Sequence, residues 1–259
     1  MSSLFSGNIT GNFDLTLILL YAFWAFFFTL VFWLHRENKR EGYPLMSDRP
    51  NSTLELVGFP APPPSKTYRL AHGDDVVLAK GRPDHRPVAA VPVGYGPGAP
   101  LEPTGDPMLD GVGPAAYAER SDHPDMTHEG LVKIVPLRVA GDFYLASEDP
   151  DPRGMIVKGA DGVTGGTVKE VWVDRSEYIA RYFEVEVEGG STVLLPWNFA
   201  RIDGAKRIIK VQAVYGKHFA AAPKLKNADQ VTLLEEDRIC GYYGGGTLYA
   251  HPSRQEPLL

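Results

Sequence analysis

The sequence predicts a membrane-anchored, mainly β protein with one N-terminal transmembrane helix, an extended proline-rich strap and a small antiparallel β-barrel with a short C-terminal helix. Three observations lead to this fold class. An uninterrupted apolar run fills positions 15–34, 15 of the 22 prolines lie between Gly42 and Pro124, and short β-rich runs follow from about Leu131. We therefore expect four regions: an extracytoplasmic N-terminus at 1–12, a transmembrane helix at 13–35, the strap at 36–125 and the barrel domain at 126–259.

The apolar run reads LTLILLYAFWAFFFTLVFWL and contains no charge, glycine or proline. Twenty helical residues span roughly 30 Å, about the thickness of the hydrocarbon core of a bilayer. A buried helix of a globular protein is rarely apolar on every face. A secretory signal peptide would carry a basic leader, and residues 1–14 contain no Lys or Arg. The run is therefore interpreted as a membrane span.

The residues that flank the span predict its orientation. The segment His35-Arg36-Glu37-Asn38-Lys39-Arg40 follows it directly, whereas only Asp14 is charged before it. Positive residues stay on the cytoplasmic side, so the N-terminus is expected in the periplasm and the polar body in the cytoplasm. We expect lipid headgroups or neighbouring subunits to be contacted by Arg36, Lys39, Arg40 and Tyr43. The alternative is that the cations only determine topology.

The two polar regions differ in their residue patterns. Proline fixes φ and lacks a backbone donor, so the strap is expected to be extended and to pack on a neighbour's surface. In the barrel domain, Phe183, Val185 and Val187 alternate with three glutamates, as in a half-buried strand. Thr232 and Glu235 form a capping-box pattern for a helix to about Tyr243. The run Gly244-Gly245-Gly246 is interpreted as the end of that helix.

Composition and motifs exclude several function classes. The net charge is −6 and there is no Lys/Arg-rich block, so nucleic acid is not an expected partner. Cys240 is the only cysteine, which fits a reducing compartment. No Lys-Ser/Thr follows the glycine run, so it is not a phosphate loop. No nucleophile elbow is present, and we expect no enzyme activity.

Two groups of His and acidic residues are candidate sites, the first for a metal ion and the second for a metal ion or for proton exchange. The first is His72-Gly73-Asp74-Asp75, which lies in the strap and is interpreted as a solvated turn. The second is the denser cluster of Asp122, His123, Asp125, His128 and Glu129. Its His-x4-His spacing would suit a divalent metal on a helix, but Pro124 argues against a regular helix there. We therefore expect no dedicated metal site.

An ordered set of segments resembles the H subunit of the photosynthetic reaction centre of purple bacteria. The segments are GNFDL (11–15), ENKREGYPL (37–45), PTGDPM (103–108), DGVGPA (110–115), KIVPLRVAGDF (133–143), DPRG (151–154), VWVDRSE (171–177), RYFEVEV (181–187), QVTLLEED (230–237) and GYYGGGTLYA (241–250). The resemblance runs along nearly the whole chain. It implies that the barrel is of the type called the PRC-barrel.

The resemblance also implies a role. The H subunit of that family binds no pigment and caps the cytoplasmic, quinone side of the L and M subunits, which hold bacteriochlorophyll, bacteriopheophytin, quinones and non-haem iron. It supports assembly and the transfer of protons to the secondary quinone during light-driven electron transport. The implied location is the inner photosynthetic (chromatophore) membrane, in contact with lipids. Contacts with a cytochrome subunit or light-harvesting antenna subunits remain open.

Carried over position by position, the resemblance implies a set of proton-transfer residues. These are Glu170, Asp174, Glu177 and Arg181, with Asp125 and Lys133 as further candidates. We expect the acids to titrate as a coupled set with at least one raised pKa, which Arg181 would restrain. The family's His-x-His entrance pair is replaced here, so the entrance is either His128 with Glu129 or lies elsewhere. The alternative is that these acids only decorate a solvated loop.

Two other functions were considered. One is a membrane-tethered barrel that scaffolds a non-photosynthetic complex, since barrels of this type also occur in RNA-processing proteins. A native complex without bacteriochlorophyll absorption would favour it. The other is a membrane-anchored hydrolase built on the His and Asp clusters. A metal-dependent turnover assay would reveal it.

Overall fold

The computed structural model describes residues 8–10, 13–43, 45–46, 55–69, 76–77, 86–95 and 99–255. The chain divides into two compact units, Met1–His85 and Arg86–Leu259. The segment His72–Asp75 lies outside the described residues, so the interpretation of it as a turn stays a prediction.

The first unit is organised around one long helix. A short hairpin of β1 (Asn8–Thr10) and β2 (Phe13–Asp14) precedes helix α1 (Leu15–Glu37), and a 3₁₀ turn (Asn38–Arg40) follows it. The Asp14 carboxylate caps α1 by accepting from the backbone N–H of Thr16 at 2.8 Å. Two short antiparallel ladders complete the unit. They are β3 (Leu45–Met46) with β4 (Glu55–Leu56) and β5 (Thr67–Tyr68) with β6 (Val76–Val77).

Helix α1 has the properties expected of a membrane span. In the part of the chain that the structure describes, it is the one helix long and apolar enough to cross a bilayer. Its side chains are exposed or half-buried on every face, so its own unit does not cover the apolar surface. The polar Thr29 hydroxyl donates to the Ala25 carbonyl at 2.7 Å and is therefore satisfied within the helix. These features support the predicted span.

The second unit contains a seven-stranded sheet. The unit itself begins with the ladder of β7 (Ala90–Pro92) and β8 (Leu101–Pro103) and the short helix α2 (Pro107–Asp110). The sheet strands are β9 (Ile134–Pro136), β10 (Ile156–Lys158), β11 (Thr164–Asp174), β12 (Ile179–Glu186), β13 (Thr192–Pro196), β14 (Ala200–Asp203) and β15 (Ile208–Val211). Their order is β13-β12-β11-β10-β15-β14, and β9 pairs with the end of β11.

Nearly all of the pairings are antiparallel, as predicted. The exception is β10 with β15, which is a parallel pair. The alternation over 183–187 is confirmed, since Phe183, Val185 and Val187 are buried and the intervening glutamates are half-buried. The core under the sheet includes Trp172 and Tyr243, both fully buried. The apolar faces of the strands and of the last helix therefore form one core.

The last helix, α3 (Leu233–Tyr249), begins as predicted but ends later. Its capping box is present, because Thr232 Oγ1 accepts from the Glu235 N–H at 3.1 Å and Glu235 Oε2 accepts from the Thr232 N–H at 2.9 Å. The interpretation of Gly244-Gly245-Gly246 as the helix end is wrong, since all three lie inside α3.

Close packing explains the glycines of α3. A Cβ at Gly245 would lie 2.5 Å from the Cβ of Ala115, and one at Gly246 would lie 2.5 Å from Val214 Cγ1. Such distances are far inside van der Waals contact, so only glycine lets the helix approach these segments. The glycine run therefore serves helix packing.

Candidate proton-transfer site

The buried carboxylate of Asp174 lies at the end of β11. Its Oδ1 accepts from the backbone N–H groups of Ser176, at 2.9 Å, and Glu177, at 3.0 Å, which forms the turn into β12. Its Oδ2 is equally buried but accepts no hydrogen bond from any described residue. A buried carboxylate oxygen with an open acceptor position is uncommon and calls for a functional explanation.

Two cations face this open oxygen. Lys133 Nζ lies 3.7 Å from Asp174 Oδ2, and Arg181 Nε lies 3.5 Å from it. The strand register explains why Lys133 and Arg181 lie near Asp174, because β9 starts opposite Asp174 and β12 returns alongside it. Both distances exceed that of a good hydrogen bond, so the cations compensate the charge of Asp174 without filling its acceptor position.

Two further carboxylates complete a group that we call the acid cluster. It consists of Asp125, Lys133, Asp174, Glu177 and Arg181. Lys133 Nζ lies 3.4 Å from Asp125 Oδ2 and 3.7 Å from Glu177 Oε1, and Arg181 Nη2 lies 3.9 Å from Glu177 Oε1. Burial acts to lower the pKa of Lys133, but the carboxylates of Asp174, Asp125 and Glu177 outweigh it, so the pKa is raised above its ordinary value. Lys133 therefore stays a fixed cation.

Glu236 on α3 adds a carboxyl group that the sequence reasoning missed. The Tyr182 hydroxyl donates to Glu236 Oε2 at 2.9 Å. Burial raises the pKa of Glu236, while the Tyr182 hydrogen bond and the charges of Arg181 and Arg120 oppose the rise. The Asp125 carboxylate pushes the same pKa upward. Glu236 is therefore coupled electrostatically to the acid cluster.

A signal for Glu236 was present in the sequence. The segment TLLEED offers two successive glutamates after the N-cap, and only Glu235 is spaced to complete the capping box. The next residue, Glu236, is rotated by about 100° around the helix and faces the side chain of Tyr182 on β12. The second glutamate, which the capping box does not use, thus indicated a further carboxyl group on α3.

Glu170 lies apart from the acid cluster. It stands four residues before Asp174 on β11, which corresponds to about 13 Å along an extended strand. Its Oε1 accepts from the N–H of Val171 at 3.0 Å and lies 3.8 Å from Arg153 Nη1. Glu170 lines a surface depression together with Asp151 and Arg153. The structure therefore does not bring Glu170 together with the other predicted acids.

His128 and Glu129 line an open surface depression of about 550 Å³. The wall of this depression includes Arg175 and Ser176, the two residues between Asp174 and Glu177. The backbone N–H of Glu129 and the Thr127 hydroxyl lower the pKa of Glu129 below its ordinary value. The depression therefore borders the turn that holds Asp174, although no direct bond joins His128 or Glu129 to the acid cluster among the described residues.

The residues after α1 are engaged within their own unit. The Lys39 ammonium is buried and donates to the carbonyls of Val57, at 3.3 Å, and Pro60, at 3.0 Å, and it lies 5.1 Å from the centre of the Tyr43 ring. The Arg40 guanidinium binds both oxygens of Glu37. Arg36 and Tyr43 are half-buried. Arg36 is thus the one cation of this set whose side chain makes no hydrogen bond or ion pair with the described residues.

The described residues include no group of three or more His, Cys, Asp or Glu side chains arranged to hold a metal ion. Comparison with known families then gives two matches. Residues 7–139, more than half of the chain, match the photosynthetic reaction centre H-chain N-terminal region. Residues 146–218 match the PRC-barrel domain. The acid cluster draws Asp125 and Lys133 from the first matched region and its other three residues from the second.

These matches confirm the resemblance and the PRC-barrel that the sequence analysis expected. Together with α1 they support a single-pass subunit of a photosynthetic reaction centre, located in a membrane and associated with the reaction centre core. The matched family is a structural subunit and not an enzyme. The chain belongs to the family of photosynthetic reaction centre H chains.

Proposed function

We propose that this chain caps the cytoplasmic, quinone side of the L and M subunits, stabilises their assembly and supports proton transfer to the secondary quinone. In this proposal the L and M subunits hold the bacteriochlorophyll, bacteriopheophytin, quinones and non-haem iron, and this chain binds none of them. The N-terminus lies in the periplasm and the barrel domain in the cytoplasm, at the inner photosynthetic membrane. Lipids surround α1, and a cytochrome subunit or antenna subunits are further partners of the complex.

The observation that carries the proton-transfer role is the open Oδ2 of Asp174. An acceptor position inside a protein, flanked by fixed cations, suits an ordered water molecule or an arriving proton. The two cations, at 3.5 and 3.7 Å, compensate a negative charge on the Asp174 carboxylate. In this proposal, Asp174 is the buried group through which protons pass.

The acids around Asp174 supply a path. The Glu177 side chain is 49% exposed, whereas Asp174 is fully buried. A proton taken from water at Glu177 can thus move inward to Asp174 over a short distance. Glu236, whose pKa is raised by burial, holds a proton at a higher pH than an ordinary glutamate and so serves as a proton reservoir. The depression beside His128 and Glu129 is the proposed entrance for water.

Substitutions in the intact reaction centre complex test the relay. Glu177→Gln and Asp174→Asn remove a titratable group while keeping its approximate size, so the second electron transfer to the quinone and its coupled proton uptake should slow severalfold at neutral pH. Glu170→Gln is the matched control, because Glu170 is a half-buried glutamate on the same strand outside the acid cluster. It should retain the wild-type rates.

Two results would overturn the proposal. Unchanged rates in Glu177→Gln and Asp174→Asn across the pH range would remove the acid cluster from proton transfer. A complex isolated in mild detergent without bacteriochlorophyll absorption would instead favour a scaffold in a non-photosynthetic assembly. The absorption spectrum tests whether the chain belongs to a photosynthetic complex, and the kinetics test proton transfer through the acid cluster. The two failures can therefore be told apart.

A further inference from the structure

A loop after β4 returns to the end of α1 and carries an exposed aromatic side chain. The loop comprises Val57, Gly58, Phe59 and Pro60. Phe59 is 85% exposed, yet its ring lies against that of Phe32 on α1, with 6.0 Å between the ring centres. Val57 is 37% exposed. The loop therefore presents apolar surface directly beside the helix that spans the membrane.

The contact with Phe32 defines the depth of the loop relative to α1. Phe32 lies inside the apolar run, which ends at Leu34, and five residues before the end of the helix at Glu37. At a rise of 1.5 Å per residue, that is about 7.5 Å from the helix end. The Phe59 ring thus packs against an apolar residue of the span.

A loop at this level must satisfy its backbone groups, because unpaired carbonyls are costly near hydrocarbon. The Lys39 ammonium does so for the two carbonyls that flank the tip, donating to Val57 O and Pro60 O. Gly58 has φ of +65°, and a Cβ there would lie 3.2 Å from Lys39 Nζ. The turn is therefore built around the buried cation, whereas the Phe59 side chain at its tip is exposed.

We propose that the loop Val57–Pro60 is a shallow membrane anchor whose tip, Phe59, inserts among lipid chains at the cytoplasmic boundary of the bilayer. Continuity with the span argues for lipid as the occupant, since the exposed Phe59 ring packs against Phe32 and so extends the apolar surface of α1. Phe is among the residues that interfacial segments bury at the boundary between headgroups and acyl chains. The proposal rests on α1 being the membrane span of the proposed function, but not on proton transfer.

The single cysteine makes the loop accessible to spin labelling. In a Cys240→Ser background, Phe59→Cys is labelled in the full-length chain within the intact complex in lipid nanodiscs. Collision rates with oxygen, which concentrates in lipid, and with a water-soluble nickel chelate are then measured. Trp33→Cys, on the exposed surface of α1, is the lipid reference, and Tyr144→Cys, which is 88% exposed in the barrel domain, is the aqueous reference.

We expect the oxygen-to-nickel collision ratio at position 59 to approach that at position 33 and to exceed that at position 144 severalfold. A ratio like that of position 144 would overturn the proposal, as would a label protected from both reagents, which would mean that protein covers the loop. If position 33 is also water-exposed, α1 is not a span and the proposed function itself fails.

A second variant tests the role of the buried lysine. Lys39→Met removes the donor to both loop carbonyls, so the collision ratio at position 59 should fall several-fold towards the aqueous value. Lys66→Met is the matched control, because Lys66 is half-exposed and contacts only the Glu37 carboxylate among the described side chains. An unchanged ratio in Lys39→Met would show that the cation does not hold the loop.

Discussion

Lys133 and Asp174 meet at the point where β9 joins the end of β11, with the ammonium nitrogen 3.7 Å from a carboxylate oxygen that is fully buried. Backbone hydrogen bonds hold the two segments together, since the Arg175 N–H donates to the Lys133 carbonyl at 2.9 Å. The pair connects a segment that precedes the barrel to the longest strand of the sheet. It is therefore both a structural contact and the inner part of the acid cluster.

Replacing Lys133 by methionine should destabilise the second unit. The change leaves the buried Asp174 carboxylate with Arg181 as its remaining close cation, and we expect a loss of about 1–3 kcal/mol in unfolding free energy at pH 7. The double variant Lys133→Met/Asp174→Asn should recover most of it, because the uncompensated charge is gone. Chemical denaturation of the full chain in mild detergent measures both. Equal stability of wild type and Lys133→Met would contradict the electrostatic role.

The same pair makes stability depend on alkaline pH. The pKa of Lys133 is raised in the folded protein, so the folded state holds this proton more tightly than the unfolded state. Its contribution is complete below the unfolded pKa of about 10.4 and is lost as the pH rises through the folded value. In wild type the unfolding free energy should therefore decrease above about pH 10 through this group, and Lys133→Met should lack that component.

Glu236→Gln should stabilise the folded protein at alkaline pH and have little effect in acid. Burial raises the pKa of Glu236, so ionisation of this group opposes folding once the pH exceeds its unfolded pKa. The glutamine remains neutral and can still accept the hydrogen bond of Tyr182. We expect a gain in unfolding free energy at pH 8 and almost none at pH 4. Denaturation at the two pH values provides the comparison, and a loss of stability at pH 8 would refute the assignment.

Gly245→Ala should destabilise α3 even though alanine is the better helix former. The intrinsic gain of about 1 kcal/mol is outweighed by a Cβ placed 2.5 Å from the Cβ of Ala115, for which overpacking costs of about 1–3 kcal/mol are typical. The helix must move away from Ala115, so the thermal midpoint should fall. Gly244→Ala is the matched control on the same helix, because its Cβ would meet only the Pro114 carbonyl at 3.1 Å. A Gly245→Ala midpoint at or above that of Gly244→Ala would show that the packing can relax.

Arg36→Gln and Lys39→Gln should differ in their salt dependence. Arg36 is half-buried at the end of α1 and is proposed to face lipid headgroups, where one cation contributes about 1 kcal/mol that salt screens. Lys39 is buried against backbone carbonyls, so its loss should weaken the complex equally at low and high salt. Detergent titrations of the complex at two ionic strengths give the dissociation midpoints. A salt-independent effect of Arg36→Gln would remove it from the membrane surface.

Local sequence patterns predicted the parts of the fold whose cause is local. The apolar run at 15–34 predicted α1 because helix length and bilayer thickness correspond, and the alternation at 183–187 predicted a strand because side chains of an extended backbone point to opposite faces. Thr232 and Glu235 predicted the start of α3, since a capping box needs only two residues three positions apart. In each case the relevant interactions involve near neighbours in the chain.

Features that depend on distant segments were decided by the tertiary structure. The glycine run of α3 carries the same local signal whether a helix ends there or packs closely, and only the approach of Ala115 and Val214 distinguishes the two. Likewise, the strand register places Lys133 and Arg181 beside Asp174 and leaves Glu170 outside. The position of Glu236 against Tyr182 depends on how α3 packs on the sheet. Local patterns thus predicted α1, a strand and the start of α3, and the residue types available for proton transfer. Long-range packing decides which of these residues meet, because strand pairing and helix docking bring together side chains that are far apart along the chain.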